Sequence, residues 1–217
     1  MIEHHLSVQR TARYYTIGEL TDQTQYIWFC LHGFGQLARF FSQKFTALND
    51  GKTFIVVPEA LSRFYLTNDY KRIGASWQTR EDRANEVNDF ITYLNSLYTH
   101  ILAQVPSASL PVTLFGFSQG AATACRWLND GHIQISRLLL WAGYFPDGLN
   151  ELINPAKLAD IDVHYVYGDK DEYLIQLENQ DEYIGKLMLD VPTLTITTFA
   201  GTHRVEPSVL SKLIKGE

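Results

Sequence analysis

Apolar residues in this chain fall into two kinds of stretch. Some form short continuous runs, and others recur every three or four positions. Tyr26-Ile27-Trp28-Phe29-Cys30-Leu31, Phe54-Ile55-Val56-Val57-Pro58, Pro111-Val112-Thr113-Leu114-Phe115, Leu138-Leu139-Leu140-Trp141-Ala142 and Val163-His164-Tyr165-Val166-Tyr167 belong to the first kind. They are too short for helices and too uniformly apolar for half-exposed strands, so strands covered on both faces are expected. Ala12-Arg13-Tyr14-Tyr15-Thr16-Ile17 reads as an edge strand, and Leu194-Thr195-Ile196-Thr197-Thr198-Phe199 as the last strand. Between the runs, Leu37, Phe40, Phe41, Phe45 and Leu48 have helical spacing, as do Val87, Phe90, Ile91, Leu94, Leu97 and Ile101. Thr79-Arg80-Glu81-Asp82 supplies the start of that second helix. A helical stretch is expected through Leu174, Leu177 and Ile184, and Pro207 opens a final one carrying Val209, Leu210, Leu213 and Ile214. Residues 59–78 show no period and read as a long aromatic loop over one end of the sheet. Strands alternating with helices predict an α/β fold: a mostly parallel central sheet with helices on both faces, in a single domain over residues 1–217.

One junction in this alternation carries chemistry. The strand 111–115 runs into Gly116-Phe117-Ser118-Gln119-Gly120, and the small residues Ala121, Ala122 and Ala124 follow at the start of a helix. A serine on a sharp strand-to-helix turn projects its hydroxyl above the sheet, and glycines two before and two after it remove side chains that would collide. The helix N-terminus then directs free N–H groups at a developing oxyanion. Ligands of open α/β sheets bind at the carboxyl ends of the strands. Three further features follow predicted strands: His32-Gly33-Phe34-Gly35, Gly168-Asp169-Lys170-Asp171 and Gly201-Thr202-His203. A serine hydroxyl needs a histidine base, and the histidine needs a carboxylate to orient it. Ser118 as nucleophile, an acid, then His203 as base is the chain order expected on this fold. Asp169 and Asp171 both fall on the acid loop, and Asp147 is a more distant candidate. An oxyanion hole needs two backbone donors, for which the amides of Phe34 and Gln119 are placed. Phe34 and Trp77, in rim loops, are expected to line the substrate pocket, whereas His32 is expected to be structural.

These motifs, in this order and over nearly the whole chain, resemble the α/β-hydrolases of the phospholipase/carboxylesterase group, which includes the acyl-protein thioesterases. Val57-Pro58-Glu59-Ala60 and Ala75-Ser76-Trp77 resemble that group's approach to the active-site rim. The resemblance implies an α/β-hydrolase fold, hydrolysis of esters or thioesters through an acyl-enzyme, no metal or organic cofactor, and Asp171 as the acid, three residues beyond Gly168. Asp169 would then hold the turn. Two features depart from the group: Tyr167 stands where a histidine often precedes the glycine, and Gln78-Thr79 follow Trp77 in place of an aromatic-acid pair. A peptidase or acyltransferase on the same fold, or a non-catalytic ligand-binding relative, is the alternative.

Composition narrows the partners. The net charge is −6 and no Lys/Arg run occurs, so nucleic acid is not an expected partner. No apolar run is long enough to span a bilayer, and the first residues lack a secretory pattern, so a cytoplasmic location is expected. Cys30 and Cys125 read as reduced core residues, and His4 and His5 would point to opposite sides of a strand, a poor metal pair. The expected partner is a small-molecule ester or thioester; the oligomeric state is left open. Between Leu138 and Val163, where many relatives insert a lid domain, the connection is short, so no large lid domain is expected. The cover is the segment 59–78, with Phe64, Tyr65, Tyr70 and Trp77, which can bury only part of a long chain. With Arg63, Lys71 and Arg72 as the rim cations, uncharged esters of short or medium acyl length are the expected substrates.

Overall fold

A computed structural model describes residues 1–105 and 110–215 of the chain, with side chains through Leu213. The expected apolar contact of Ile214 therefore lies outside the described residues. Strand β1 (Tyr14–Ile17) leads to β2 (Tyr26–Leu31), a short helix α1 (Ala38–Phe41) and β3 (Thr53–Pro58). Strands β4 (Ser62–Tyr65) and β5 (Ile73–Ser76) come next, then helix α2 (Arg83–Leu102), β6 (Val112–Phe117) and α3 (Gln119–Asp130). Strand β7 (Arg137–Trp141), β8 (Asp162–Gly168), α4 (Gln180–Asp190), β9 (Thr195–Phe199) and α5 (Pro207–Lys215) complete the chain.

Seven strands form one sheet in the order β1-β3-β2-β6-β7-β8-β9. Strand β1 is antiparallel to β3 at one edge, and the remaining pairings are parallel. The continuous apolar runs have the cause expected of them, since each strand's alternating side chains meet a different covering layer. From β2, Ile27, Phe29 and Leu31 join a core with Leu94 of α2 and Trp127 of α3, while Trp28 and Cys30 join Phe45, Trp141 and Leu210 on the other face. Cys30 and Cys125 are buried free thiols whose pKa values burial pushes up, Cys125 to about 12. No large extra domain interrupts this α/β-hydrolase fold, and the segment between β7 and β8 contains only turns and one 3-10 turn, Pro155–Leu158.

Three sequence expectations need correction. The helix expected through Leu174, Leu177 and Ile184 is confined to Gln180–Asp190, and Leu174 and Leu177 lie in turns before it. Residues 37–48 do not form one amphipathic helix: α1 is a single turn, and Ser42–Leu48 continues as a 3-10 helix. Phe41, Phe45 and Leu48 stay in the core across the tighter 3-10 turns, whereas Phe40, in the α-helical turn before them, faces solvent. Residues 59–78 are not a structureless loop. Strands β4 and β5 pair as an antiparallel hairpin with Arg63 opposite Ala75. The hairpin escapes a period-based reading because its strands are four residues long and belong to a separate two-stranded sheet.

Glu59 ties these parts together. Its carboxylate is 1% exposed and accepts from Arg13 Nε at 2.6 Å and from an Arg13 terminal nitrogen at 3.0 Å. The Arg63 Nε lies 3.2 Å away, and the Ala38 amide at the start of α1 donates at 3.2 Å. One buried carboxylate thus joins the residue before β1, the hairpin and α1. Removing it leaves a buried amide unsatisfied and two half-exposed guanidinium groups without a counter-charge. Glu59→Ala is expected to lower stability by about 2–3 kcal/mol, discounted for the solvent that reaches both arginines; urea unfolding measures it.

Candidate active site

Strand β6 ends at Phe117, and α3 begins at Gln119, so Ser118 makes the whole turn. Its backbone lies at φ 54° and ψ −118°, a sparsely populated region for a residue with a side chain. The turn persists because its surroundings hold it. The Ser118 amide donates to the Trp141 carbonyl of β7 at 2.9 Å, and the Trp141 indole donates to the Arg204 carbonyl at 2.8 Å. A β-carbon on Gly120 would lie 2.3 Å from the Leu31 carbonyl oxygen, and one on Gly116 would lie 2.4 Å from the Gly120 oxygen. Only glycine permits these approaches.

The approach of Gly120 places the turn after β2 against the serine. A β-carbon on Gly33 would lie 3.2 Å from the Ser118 β-carbon. Within this turn the Gly33 amide donates to Gln36 Oε1 at 2.9 Å, Gly35 to Ala75 at 2.9 Å and Gln36 to the Gly33 carbonyl at 3.2 Å. The Phe34 amide has no protein acceptor among the described residues, and neither has the Gln119 amide. His32 fixes the turn from below. It is fully buried, with Nδ1 2.8 Å from the Gly33 carbonyl oxygen and Nε2 accepting from the Ala60 amide at 3.0 Å. These partners select the neutral tautomer that carries its proton on Nδ1. Burial lowers the His32 pKa to about 4, against the upward pull of the Gly33 carbonyl and Glu59.

The Gln119 side chain anchors β5 to the elbow. Its Oε1 accepts from the Trp77 amide at 3.0 Å, and its Nε2 donates to the Gln78 carbonyl at 2.8 Å. Trp77 itself departs from expectation. It is 3% exposed, its indole donates to the His32 carbonyl at 2.8 Å, and its ring packs against His32 and Phe90. It supports the Gly33–Gln36 turn from the core instead of lining the rim. Phe34 does sit on the rim, 58% exposed, with its ring stacked on Phe64 of β4 at 5.2 Å.

The acid loop and the histidine loop meet beyond β8 and β9. His203 Nδ1 lies 2.8 Å from Asp171 Oδ2, and Asp171 is 1% exposed. The Tyr173 amide donates to the other Asp171 oxygen at 3.1 Å. Asp169 faces away from the imidazole and accepts from the Gly201 amide at 2.9 Å, holding the two loops together. Asp147 is exposed in the segment after β7. The His203 ring packs at 4.9 Å from the ring of Phe117, the residue before the serine. The four motifs therefore gather on one rim of the sheet.

The sequence profile of the phospholipase/carboxylesterase family matches residues 14–215. The chain belongs to the phospholipase/carboxylesterase family. It is an ester hydrolase of the carboxylesterase type. Among solved structures it is similar to acyl-protein thioesterase 2 of Zea mays, with TM-score 0.69 and 17% identity over 95% of this chain and 97% of that one. It is similar to the esterase PE8, with TM-score 0.64 and 18% identity over 95% and 99% of the two chains. It is also similar to TT1662 of Thermus thermophilus, with TM-score 0.64 and 14% identity over 95% and 96%. At these identities the structural likeness speaks for the fold. A comparison with curated proteins finds no match for this sequence.

Two neighbours of the hydrolase's histidine escaped the sequence reading. The His203 amide donates to Glu172 Oε2 at 3.0 Å, and the exposed Tyr173 ring meets the imidazole edge-on at 4.7 Å. Both follow Asp171 directly, and adjacency to the acid was the signal available. No helix in the described residues is long and apolar enough to cross a membrane. Glu3, His5 and Asp82 approach one another on the surface, a grouping the His4/His5 argument did not consider.

His32 makes acid sensitivity predictable. Its folded pKa, about 4, lies below the ordinary 6.5. As the pH falls through that window, the unfolded chain takes up a proton that the folded chain refuses. The stabilisation is present above pH 6.5 and declines toward pH 4, by about 3 kcal/mol for this one group. His32→Gln is expected to flatten the decline of unfolding free energy with falling pH; an unchanged slope in urea titrations would exclude His32 as its source.

Proposed function

We propose that the protein hydrolyses carboxylic esters or thioesters through Ser118, His203 and Asp171, with the Phe34 and Gln119 amides as the oxyanion hole. The observation that carries the reading is the hydrogen bond between buried Asp171 and His203 Nδ1, on the rim that holds the strained Ser118. With Nδ1 committed to Asp171, Nε2 is the nitrogen left to take a proton. Ser118 Oγ attacks the acyl carbon while His203 Nε2 accepts the hydroxyl proton. Asp171 stays ionised and stabilises the imidazolium. The carbonyl oxygen becomes an oxyanion between two backbone N–H groups that are already oriented and have no other acceptor to give up. Collapse expels the alcohol or thiol, which leaves with the proton from His203. Water then attacks the acyl-enzyme by the same steps in reverse order and releases the acid.

On the acyl side, the Phe34–Phe64 stack and the hairpin give an apolar wall without a deep lid. Each buried methylene adds about 0.8 kcal/mol only while the wall lasts. Short or medium acyl chains are therefore the proposed substrates, and kcat/KM is expected to level off for long ones.

Ser118→Ala is expected to keep the fold and lose about 10⁴–10⁶ in kcat, along with labelling by a fluorophosphonate probe. Labelling of the alanine variant would point to another nucleophile. Asp171→Asn is expected to reduce kcat by about 10⁴, because the amide keeps the shape but removes the charge that supports the imidazolium. Asp169→Asn, which keeps a carbonyl oxygen for the Gly201 amide, should reduce it far less. The reverse ranking on folded variants would transfer the acid role to Asp169.

A further inference from the structure

A groove of about 800 Å³ opens beside this site. One wall begins at Gly35, two residues beyond the Gly33 that faces Ser118, and another includes Pro207, four residues beyond His203. Its polar lining is one-sided. Arg39 of α1 and Lys44 of the 3-10 helix after it face it together with Lys71 and Arg72 from the hairpin turn, and no carboxylate among the described residues lines it. The chain as a whole carries a net charge of −6, so this grouping runs against the protein's balance. Lys71 is shared with Asp69 at 3.6 Å. Arg39, Lys44 and Arg72 have no carboxylate partner among the described residues. The Arg39 guanidinium lies over the exposed Phe40 ring, 4.4 Å from its centre, which holds the charge in the groove while leaving the guanidinium edge open.

The sequence hid this grouping. Arg39 and Lys44 stand some thirty residues before Lys71 and Arg72, and the expectation of uncharged substrates counted only Arg63, Lys71 and Arg72 near the rim. The α1 segment and the hairpin turn come together because β5 docks on the Gly33–Gln36 turn, with Gln36 bridging to Ala75. The cations stand away from the chemistry. Ser76 Oγ is 3.4 Å from Gln119 Oε1, and Arg72 lies four residues further along the same extended segment. At about 3.3 Å per residue the Arg72 backbone is roughly 13 Å from the elbow. The lining also carries apolar side chains, Leu37, Phe41, Leu66 and Ile73 among them, but an acyl chain has nothing to offer four cations, so the charges belong to the other half of the substrate.

We propose that this groove binds the phosphate-bearing end of an elongated alcohol or thiol portion of the substrate, roughly 10–15 Å from the scissile carbonyl. The inference rests on the hydrolase reading of Ser118 and names the substrate class for that site. A phosphate could come from a soluble carrier or from a glycerolipid headgroup, and the two differ in spacing: the long carrier arm reaches the cations, and a glycerol phosphate does not.

Two substrate pairs test this at low ionic strength. S-butyryl-4′-phosphopantetheine and S-butyryl-pantetheine differ only in a distant phosphate; 1-butyrylglycerol 3-phosphate and 1-butyrylglycerol differ in a near one. Turnover is measured with the wild-type protein, and binding by calorimetry with Ser118→Ala. The phosphate is expected to improve kcat/KM and binding by about tenfold in the first pair and by less than about twofold in the second. The first ratio should fall to about one in Arg39→Gln/Lys44→Gln/Arg72→Gln, with thermal melting confirming that this variant is folded. A first-pair ratio near one in the wild type, a ratio kept by the triple variant, or an equal gain in the second pair would overturn the subsite. Discrimination in binding without turnover of any substrate would instead sink the hydrolase reading and leave the subsite standing.

Discussion

The arrangement of this protein depends on one close approach of backbone to backbone. Gly120, in the first turn of α3, lies so near the Leu31 and His32 carbonyls that a single β-carbon could not be accommodated. That approach draws the end of β2 onto the elbow after β6 and forces Ser118 to make the reversal by itself. It also sets the Gly33–Gln36 turn beside the serine, where a β-carbon on Gly33 would lie 3.2 Å from that of Ser118. Strain at Ser118 of the order of 1–3 kcal/mol is tolerable because the parallel sheet and its two cores fix both ends of the turn. The same sheet delivers Asp171 and His203 to the rim from β8 and β9, so the gathering of groups follows from topology before any side chain is considered.

Beneath the Gly33–Gln36 turn lies a polar column that is satisfied almost throughout. Arg13 and Arg63 hold Glu59, the adjacent Ala60 amide holds His32, and His32 holds the Gly33 carbonyl. Gln119 and Trp77 close the column from the side of the elbow. Buried polar groups of this kind rigidify a site when every member has a partner. Gln78 Oε1, buried without a partner, is an exception beside it.

The parts of the chain governed by long-range sheet burial were legible in the sequence. Runs such as Leu138 to Trp141 are apolar because both faces of β7 are covered, and the motifs follow strands because the rim lies at the strand ends. Segments governed by local choices were not. Nothing in Leu37, Phe40 and Phe41 announces that the α-helix ends at Phe41 and tightens into a 3-10 helix, or that Phe40 faces solvent. The hairpin Ser62–Ser76 satisfies its backbone across a separate two-stranded sheet, a pairing that no period announces. Trp77 was misplaced because an aromatic residue in an irregular stretch reads as rim, whereas its indole N–H had a buried carbonyl to meet. Asp171 and Asp169 could be separated by family resemblance alone, since both stand on one loop and only tertiary contact assigns one to His203 and the other to Gly201.

The hairpin's attachment has a consequence for how such a protein can change. Strands β4 and β5 lie outside the seven-stranded sheet. They meet the Gly33–Gln36 turn largely through main-chain atoms, Gly35 with Ala75 and Ala75 with Gln36, and through Gly74 packed on the Gly35 backbone. Gly74 is fixed, since a β-carbon there would lie 2.5 Å from the Gly35 oxygen, but the other main-chain contacts place few demands on residue identity, so the tip from Leu66 to Arg72 can exchange side chains, or lengthen, without disturbing the serine. Substrate range and catalytic geometry are thereby carried on separable pieces of chain. A lineage built on this plan can drift from one ester to another by rewriting a surface turn of a few residues while the machinery beneath it is inherited intact.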